Sequence, residues 1–298
     1  MRTGKFGGPA LALAVLLATV SCGPPNSAAP GTPTTPGAPT AVPATGPLPR
    51  PDHVVVVVLE NHGADQVLGS GAAPYLGRLA GSGATFTRAA AVTHPSQPNY
   101  LALFSGDTQG VADDSCPHTF ASDSIGQQMI GAGFGFAGFS EDLPGPGYTG
   151  CQSGNYVRWH APWVDFTGVP PTAGRPFSEF GPDYTKLPAL SFVIPNMCHN
   201  MHDCDVATGD AWLRANLDAY VRWSTTHNSL LVVTFDEAED GSATNQIPLI
   251  FAGPMVRPGR YLEPADHYRV LRTLEAMYGL PALGHAASTT PIADVWRG

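Results

Sequence analysis

Residues 53–60 read HVVVVVLE, five valines and a leucine with no polar residue between them. Side chains along a strand point alternately to its two faces, so an unbroken β-branched run suits a strand covered on both faces, as in a parallel sheet flanked by helices. Shorter apolar runs recur as GFGFAGFS (133–140), LSFVIP (190–195), SLLVVTF (229–235) and IPLIFAG (247–253). Helical patterns separate or follow them: PYLGRLAGSG after the first strand, then 99–105, 122–131, GDAWLRANLDAYVRW (209–223) and HYRVLRTLEAMYG (267–279). Strands alternating with helices predict an α/β fold, a three-layer α/β/α sandwich around a mostly parallel central sheet.

Ahead of this domain, Arg2 and Lys5 precede the apolar run PALALAVLLATV, which ends in SCG at Cys22. A basic flank and a short apolar stretch describe an export signal rather than a membrane-spanning helix. The small residue before Cys22 resembles a bacterial lipobox, with Thr19 where that motif usually has leucine, so Cys22 is expected to carry a lipid anchor. The protein is then a surface lipoprotein facing outward or, without the lipid, a secreted protein. Residues 23–50 hold no acidic or aromatic residue and read as a disordered, semi-extended tether. Residues 51–298 remain as one large domain.

The net charge of −9 and the presence of only two lysines, Lys5 and Lys186, argue against nucleic acid as a partner. An anionic substrate would need local neutralisation by a metal or by helix N-termini. Four cysteines lie in the exported part, Cys116, Cys151, Cys198 and Cys204, and four cysteines allow three pairings. We expect Cys198–Cys204, closing the loop CHNMHDC, and Cys116–Cys151. A Cys/His metal site in that loop is the alternative.

Ligands of open α/β sheets collect beyond the carboxyl ends of the strands. Glu60, Asn61 and His62 follow the first strand; Asn196, His199, His202 and Asp203 follow LSFVIP; Asp236 and Glu237, then Glu239 and Asp240, follow SLLVVTF. Taken singly, these are strand-end turns, a solvated acidic loop and a pair that shapes a disulfide loop. Taken together, they place oxygen donors on one rim, which suits a divalent cation such as Mg, Ca, Mn or Zn.

Ser96 stands between two prolines in THPSQPNYLALFSG, directly before a helical pattern. It either starts the helix or serves as a nucleophile presented there. A serine hydroxyl needs an adjacent base, a lowered pKa or a metal to attack; no Ser/His/Asp triad pattern surrounds it, which leaves metal activation. A helix N-terminus also favours bound phosphate. Thr93, three residues upstream, is the competing nucleophile. His94, His160 and His267 each read locally as structural, His267 opening a helix that buries Val270, Leu271, Leu274 and Met277.

The segments VVVVVLENHGADQVLG, APYLGRLA, THPSQPNYLALFSGDTQGVADD, SEDLPGPGY, YVRWHAPW, SFVIPNMCHNMHD, GDAWL, TFDEAED and DHYRVLRTLEAMYGLPALG together resemble the phosphoesterase family. That family groups secreted acid phosphatases with bacterial phospholipases C inside the alkaline phosphatase-like superfamily. The resemblance implies a metal held by Glu60, Asn61, Asp236 and Glu237 together with Ser96, and Ser96 as the nucleophile. It implies that Asn99 contacts a phosphoryl oxygen, and that His202 and His267 meet the phosphate or a second metal and can protonate the leaving group. Asp203 and His94 belong to the same pocket, while His160 matches a position without an assigned role. Asn196 stands where two-metal relatives often have aspartate. The domain also lacks the insertions of the large phospholipases C. The expected function is a metal-dependent phosphoric ester hydrolase, a phosphomonoesterase working through a phosphoseryl intermediate. The alternatives are a phospholipase C-like phosphodiesterase, or a non-catalytic surface protein that keeps the fold.

Overall fold

A computed structural model of the chain describes Gly4 and residues 48–239 and 241–297. The expected signal segment, Cys22, the tether up to residue 47 and Asp240 lie outside the described residues. The chain divides into residues 1–40 and 41–298, and the second unit holds every element that follows.

In chain order these are β1 (His53–Leu59), α1 (Pro74–Ser82), β2 (Ala84–Phe86), α2 (Ser96–Ser105), α3 (Ile125–Gly131), β3 (Phe136–Ser140), β4 (Gln152–Ser153), β5 (Tyr156–Val157), β6 (Gly174–Pro176), β7 (Leu190–Ile194), α4 (Val206–Ser224), β8 (Ser229–Phe235), β9 (Leu249–Ala252), β10 (Gly259–Tyr261) and α5 (His267–Tyr278). Eight strands form one sheet in the order β10-β2-β9-β8-β1-β7-β3-β6, and β4 and β5 pair apart from it. The valine run sits at its centre. β1 pairs in parallel with β8 from His53–Ser229 to Leu59–Phe235 and with β7 from Val54–Leu190 to Val57–Val193. Every side chain from Val54 to Leu59 is at most 1% exposed, as a strand covered on both faces requires. α1 packs with α4, and α2 packs with α3 and α5, supplying the two covering layers.

The fold is thus the expected mixed α/β architecture, and only β9 runs against the others. Its reversal makes residues 236–248 a connection that begins and ends on the same rim. The edge strands β6 and β10, and β2 beside β10, are three residues each, too short to leave an apolar run in the sequence. Both expected disulfides are present, Cys116–Cys151 with Cα atoms 5.9 Å apart and Cys198–Cys204 at 4.7 Å. With its thiols joined, the CHNMHDC loop has no cysteine left to bind a metal.

Candidate active site

Glu60, the first residue beyond β1, is fully buried, and its N–H donates to Asn200 O at 2.8 Å. Asn61 then adopts φ 53°, a left-handed conformation that asparagine tolerates better than most residues. That turn aims its backbone N–H at Asp236 Oδ1, 3.0 Å away. Asp236 is fixed in turn, its own N–H donating to Leu59 O at 2.9 Å. The ends of β1 and β8 are therefore cross-tied at the residues that carry carboxylates.

Ser96 is the first residue of α2, behind the N-cap Pro95, and its side chain makes no capping bond. The hydroxyl faces the rim instead, where Glu60 Oε2 accepts from it at 3.0 Å. Glu237 Oε1 lies 3.3 Å away and Asn61 Oδ1 3.4 Å away. One proton cannot serve three acceptors, so this is a cluster of oxygens gathered on a fourth. Thr93 has no such setting; its Oγ1 donates to His94 O at 3.2 Å.

The electrostatics of the cluster are unfavourable for protein alone. Burial first, and then the charge of Asp236, push the Glu60 carboxyl well above the ordinary carboxylate range. Burial also raises Asp236, against hydrogen bonds from Ser96, Glu60 and the Asn61 backbone. Asp236 Oδ2 has no hydrogen-bond partner. Among the described residues no lysine or arginine forms an ion pair with Glu60 or Asp236, although buried carboxylates are normally compensated by opposite charge. Two strand ends and a helix start thus converge carboxylate, amide and hydroxyl oxygens, the donor set of a hard divalent cation. The fit lies in donor type and convergence, since no three His, Cys, Asp or Glu side chains among the described residues form a ready-made cage.

A family model described as the phosphoesterase family matches residues 70–281. The chain belongs to the phosphoesterase family. It is 50% identical over 256 residues to a phosphatidylinositol-3-phosphatase of Mycobacterium tuberculosis, the match covering 85% of each chain. It is 32% identical over 227 residues to an acid phosphatase of Aspergillus fumigatus, covering 69% of this chain and 51% of that one. Among solved structures, a protein of the alkaline phosphatase superfamily from Vibrio parahaemolyticus superposes with a TM-score of 0.60 at 16% identity, over 86% of this chain and 75% of the other. The phosphoesterase is a hydrolase acting on phosphoric ester bonds.

A second set of residues holds the cluster in place. The Tyr100 hydroxyl, one turn along α2, donates to Glu60 Oε1, while its ring stacks on His160 at 4.9 Å and 14°. His160 is enclosed, with Nδ1 3.5 Å from Glu60 Oε1 and 3.4 Å from Asn200 Nδ2. Burial pulls its pKa down to about 3, so the ring is neutral. Asn200 also accepts the His202 N–H at 2.9 Å through Oδ1, linking the β1 end to the disulfide loop. Asn245 ties the 236–248 connection to the loop before α2: its Nδ2 donates to Thr93 O at 2.8 Å, and its Oδ1 accepts from Ala238 N–H at 2.8 Å. No local pattern marks Tyr100, Asn200 or Asn245, because their partners are distant in sequence.

Several residues named from the family resemblance sit differently in the phosphoesterase. Asn99 is engaged by the loop that precedes its own helix. Its Oδ1 accepts from the N–H groups of Val92 and Thr93, both at 3.0 Å, and its Nδ2 donates to Thr93 O at 2.9 Å and Pro95 O at 3.0 Å. All four hydrogen-bonding positions of the amide are thereby engaged. The α2 N-terminus is also less open than a helix start usually is, because the Gln97 N–H donates to Asp114 Oδ1 at 2.8 Å and Pro98 has none. His267 is 1% exposed. Its Nε2 must donate to Phe235 O at 2.9 Å, since a carbonyl only accepts, and burial lowers its pKa. Nε2 thereby ties the ring to the end of β8, while Nδ1 has no hydrogen-bond partner among the described residues. His94 fits the pocket, its Nδ1 facing Glu237 Oε2. His202 Nδ1 donates to Asp203 Oδ1 at 2.7 Å on the partly exposed rim, a pairing that leaves Nε2 outward.

Proposed function

We propose that this phosphoesterase is an exported, metal-dependent phosphomonoesterase that uses Ser96 as its nucleophile. The observation that carries the reading is the convergence of Glu60, Asn61 and Glu237 on the Ser96 hydroxyl within 3.4 Å. Glu60, Asn61, Asp236, Glu237 and Ser96 would hold a divalent cation. Such an ion lowers the pKa of a bound hydroxyl and neutralises phosphoryl charge. The Ser96 proton passes to Glu60 Oε2, the nearest acceptor, and Oγ attacks phosphorus in line with the ester oxygen. As the Oγ–P bond forms the ester P–O bond breaks, and the departing oxygen takes a proton from His202 Nε2, the ring being oriented by its Nδ1 contact with Asp203. Water then attacks the phosphoserine as one of its protons returns to His202; the Oγ–P bond breaks, phosphate leaves, and Ser96 Oγ takes back the proton held on Glu60 Oε2.

The two disulfides support export, and Cys22 is the proposed lipid anchor of an outward-facing protein. Relatives named as phosphatases favour the monoester over the phospholipase C-like diester reaction. The relative at 50% identity is named for phosphatidylinositol 3-phosphate, so we take a lipid-borne inositol phosphomonoester as the substrate class.

The test uses purified full chain supplied with Mg, Ca, Mn or Zn and p-nitrophenyl phosphate. Ser96→Ala is expected to lower kcat by about 10³-fold or more, about 4 kcal/mol of barrier, while Thr93→Val keeps most of it. Glu60→Gln is expected to lose bound metal, read by elemental analysis independently of turnover. Full activity of Ser96→Ala would rule the mechanism out.

A further inference from the structure

The central sheet brings more to its rim than carboxylates. β2 and β8 both pair antiparallel with β9, and β10 runs parallel to β2. The residues after Phe86 and Tyr261 therefore emerge on the same edge as Asp236. Ile250 pairs with both Thr85 and Val233, and Tyr261 pairs with Phe86. Counting outward from those pairs puts Arg88 level with Asp236 and Leu262 level with Phe235. At ~4.8 Å per strand, Arg88 stands about 10 Å and Leu262 about 14 Å from the end of β8.

Leu262 is 72% exposed, the most exposed large apolar side chain among the described residues. Single exposed leucines are common; this one has basic company. Arg260 shares its face of β10 by the two-residue strand period. Arg88 and Arg260 are both exposed, and neither has an ion-pair partner among the described residues. The nearby acids are occupied or out of reach. Glu263 pairs with Arg269 at 2.7 Å, and Asp266 caps α5. Asp65 borders a groove with Arg260 without coming within ion-pair distance. Arg88 also borders a cavity of about 580 Å³ that extends to Val92 and Asp266. Val92 is held by Asn99, one helical turn from Ser96, so the cavity leads from Arg88 to the nucleophile loop.

We propose that Arg88, Arg260 and Leu262 form a docking surface for an anionic lipid bilayer, presenting its phosphorylated headgroups at the mouth of the Ser96 site. The inference rests on the reading of the substrate as a lipid-borne phosphomonoester. Charge complementarity selects the partner: in a chain of net charge −9, two arginines without an ion-pair partner among the described residues, Arg88 on the α5 side of the sheet and Arg260 on the α1 side, accompany an exposed leucine near the active rim. Among the described residues no helix is long and apolar enough to cross a membrane; the proposed contact is made by side chains at the rim. The leucine enters the headgroup layer and the guanidinium groups meet lipid phosphates.

The test compares full-length protein with the Arg88→Gln/Arg260→Gln and Leu262→Ser variants. The substrates are phosphatidylinositol 3-phosphate in phosphatidylcholine vesicles, with or without phosphatidylserine, and p-nitrophenyl phosphate in solution. Each variant is expected to lose about tenfold in kcat/KM on phosphatidylserine vesicles and nothing on the soluble ester. Added salt is expected to erase the phosphatidylserine advantage of the parent and leave the double glutamine variant unchanged. Variants that match the parent on vesicles, or that lose both activities equally, overturn the docking surface. A parent active on the soluble ester and inactive on vesicle lipid overturns it as well. A parent inactive on both substrates overturns instead the phosphomonoesterase reading beneath it.

Discussion

Asn99 and Ser96 sit one helical turn apart on α2, yet their side chains do different work. Ser96 meets the acidic cluster, whereas Asn99 fastens the Val92–Pro95 loop through four hydrogen bonds. Asn99→Ala leaves buried backbone groups unpaired and is expected to cost about 3 kcal/mol of stability, measured by urea denaturation. Ser96→Ala should leave stability close to that of the parent. Equal midpoints for Asn99→Ala and the parent would return Asn99 to the role of a substrate contact. The residues of the cluster were legible in the sequence because each lies at a strand end or in a distinctive segment: Glu60 and Asn61 after the valine run, Ser96 between prolines, Asp236 and Glu237 after SLLVVTF. Their supports were not. Tyr100 meets Glu60 from 40 residues away, and Asn245 meets Thr93 across 152, separations at which no local period carries information.

The helix carrying the proposed nucleophile depends on how it ends as well as on how it starts. Gly106 closes α2 at φ 75° with its N–H donating to Ala102 O, and His285 N–H donates back to Gly106 O at 2.7 Å. A Cβ at this position would lie 2.3 Å from Leu283 O. Gly106→Ala therefore combines a left-handed alanine, costing about 1–2 kcal/mol, with a backbone collision. It is expected to lower Tm and to reduce kcat on p-nitrophenyl phosphate through displacement of α2; an unchanged Tm would show that the contact yields. Long helices and central strands showed in the sequence through their periods. The helix start at Ser96 was less visible, since residues 96–105 are all buried and so carry no polar face to mark a period. β2 and β10 gave no signal at three residues each, although they deliver Arg88 and Leu262 to the rim.

Across the whole molecule, Glu275 links α5 to the segment on which α2 ends. Its side chain is fully buried, and Oε1 accepts from Leu283 N–H at 2.8 Å. Burial raises its carboxyl from 4.5 to about 7. The folded state therefore holds this proton more tightly than the unfolded chain does. The resulting stability is fully present below about pH 4.5 and is lost as pH rises through about 7. Thermal unfolding between about pH 5 and about pH 8 should show Tm falling more steeply in the parent than in Glu275→Gln, which keeps an acceptor for Leu283. Parallel slopes would mean that Glu275 is already ionised at the lower pH.

The Cys116–Cys151 bridge spans 35 residues and encloses exposed Pro144, Pro146 and Thr149. A protease that cuts the chain at that turn separates it into two polypeptides without releasing either. The cut protein should migrate as one species on a non-reducing gel and as two after reduction, with Ser96 on the N-terminal piece and Asp236 and Glu237 on the other. Outside the cell, where this phosphoesterase is proposed to work, such a nick need not end the life of the active site.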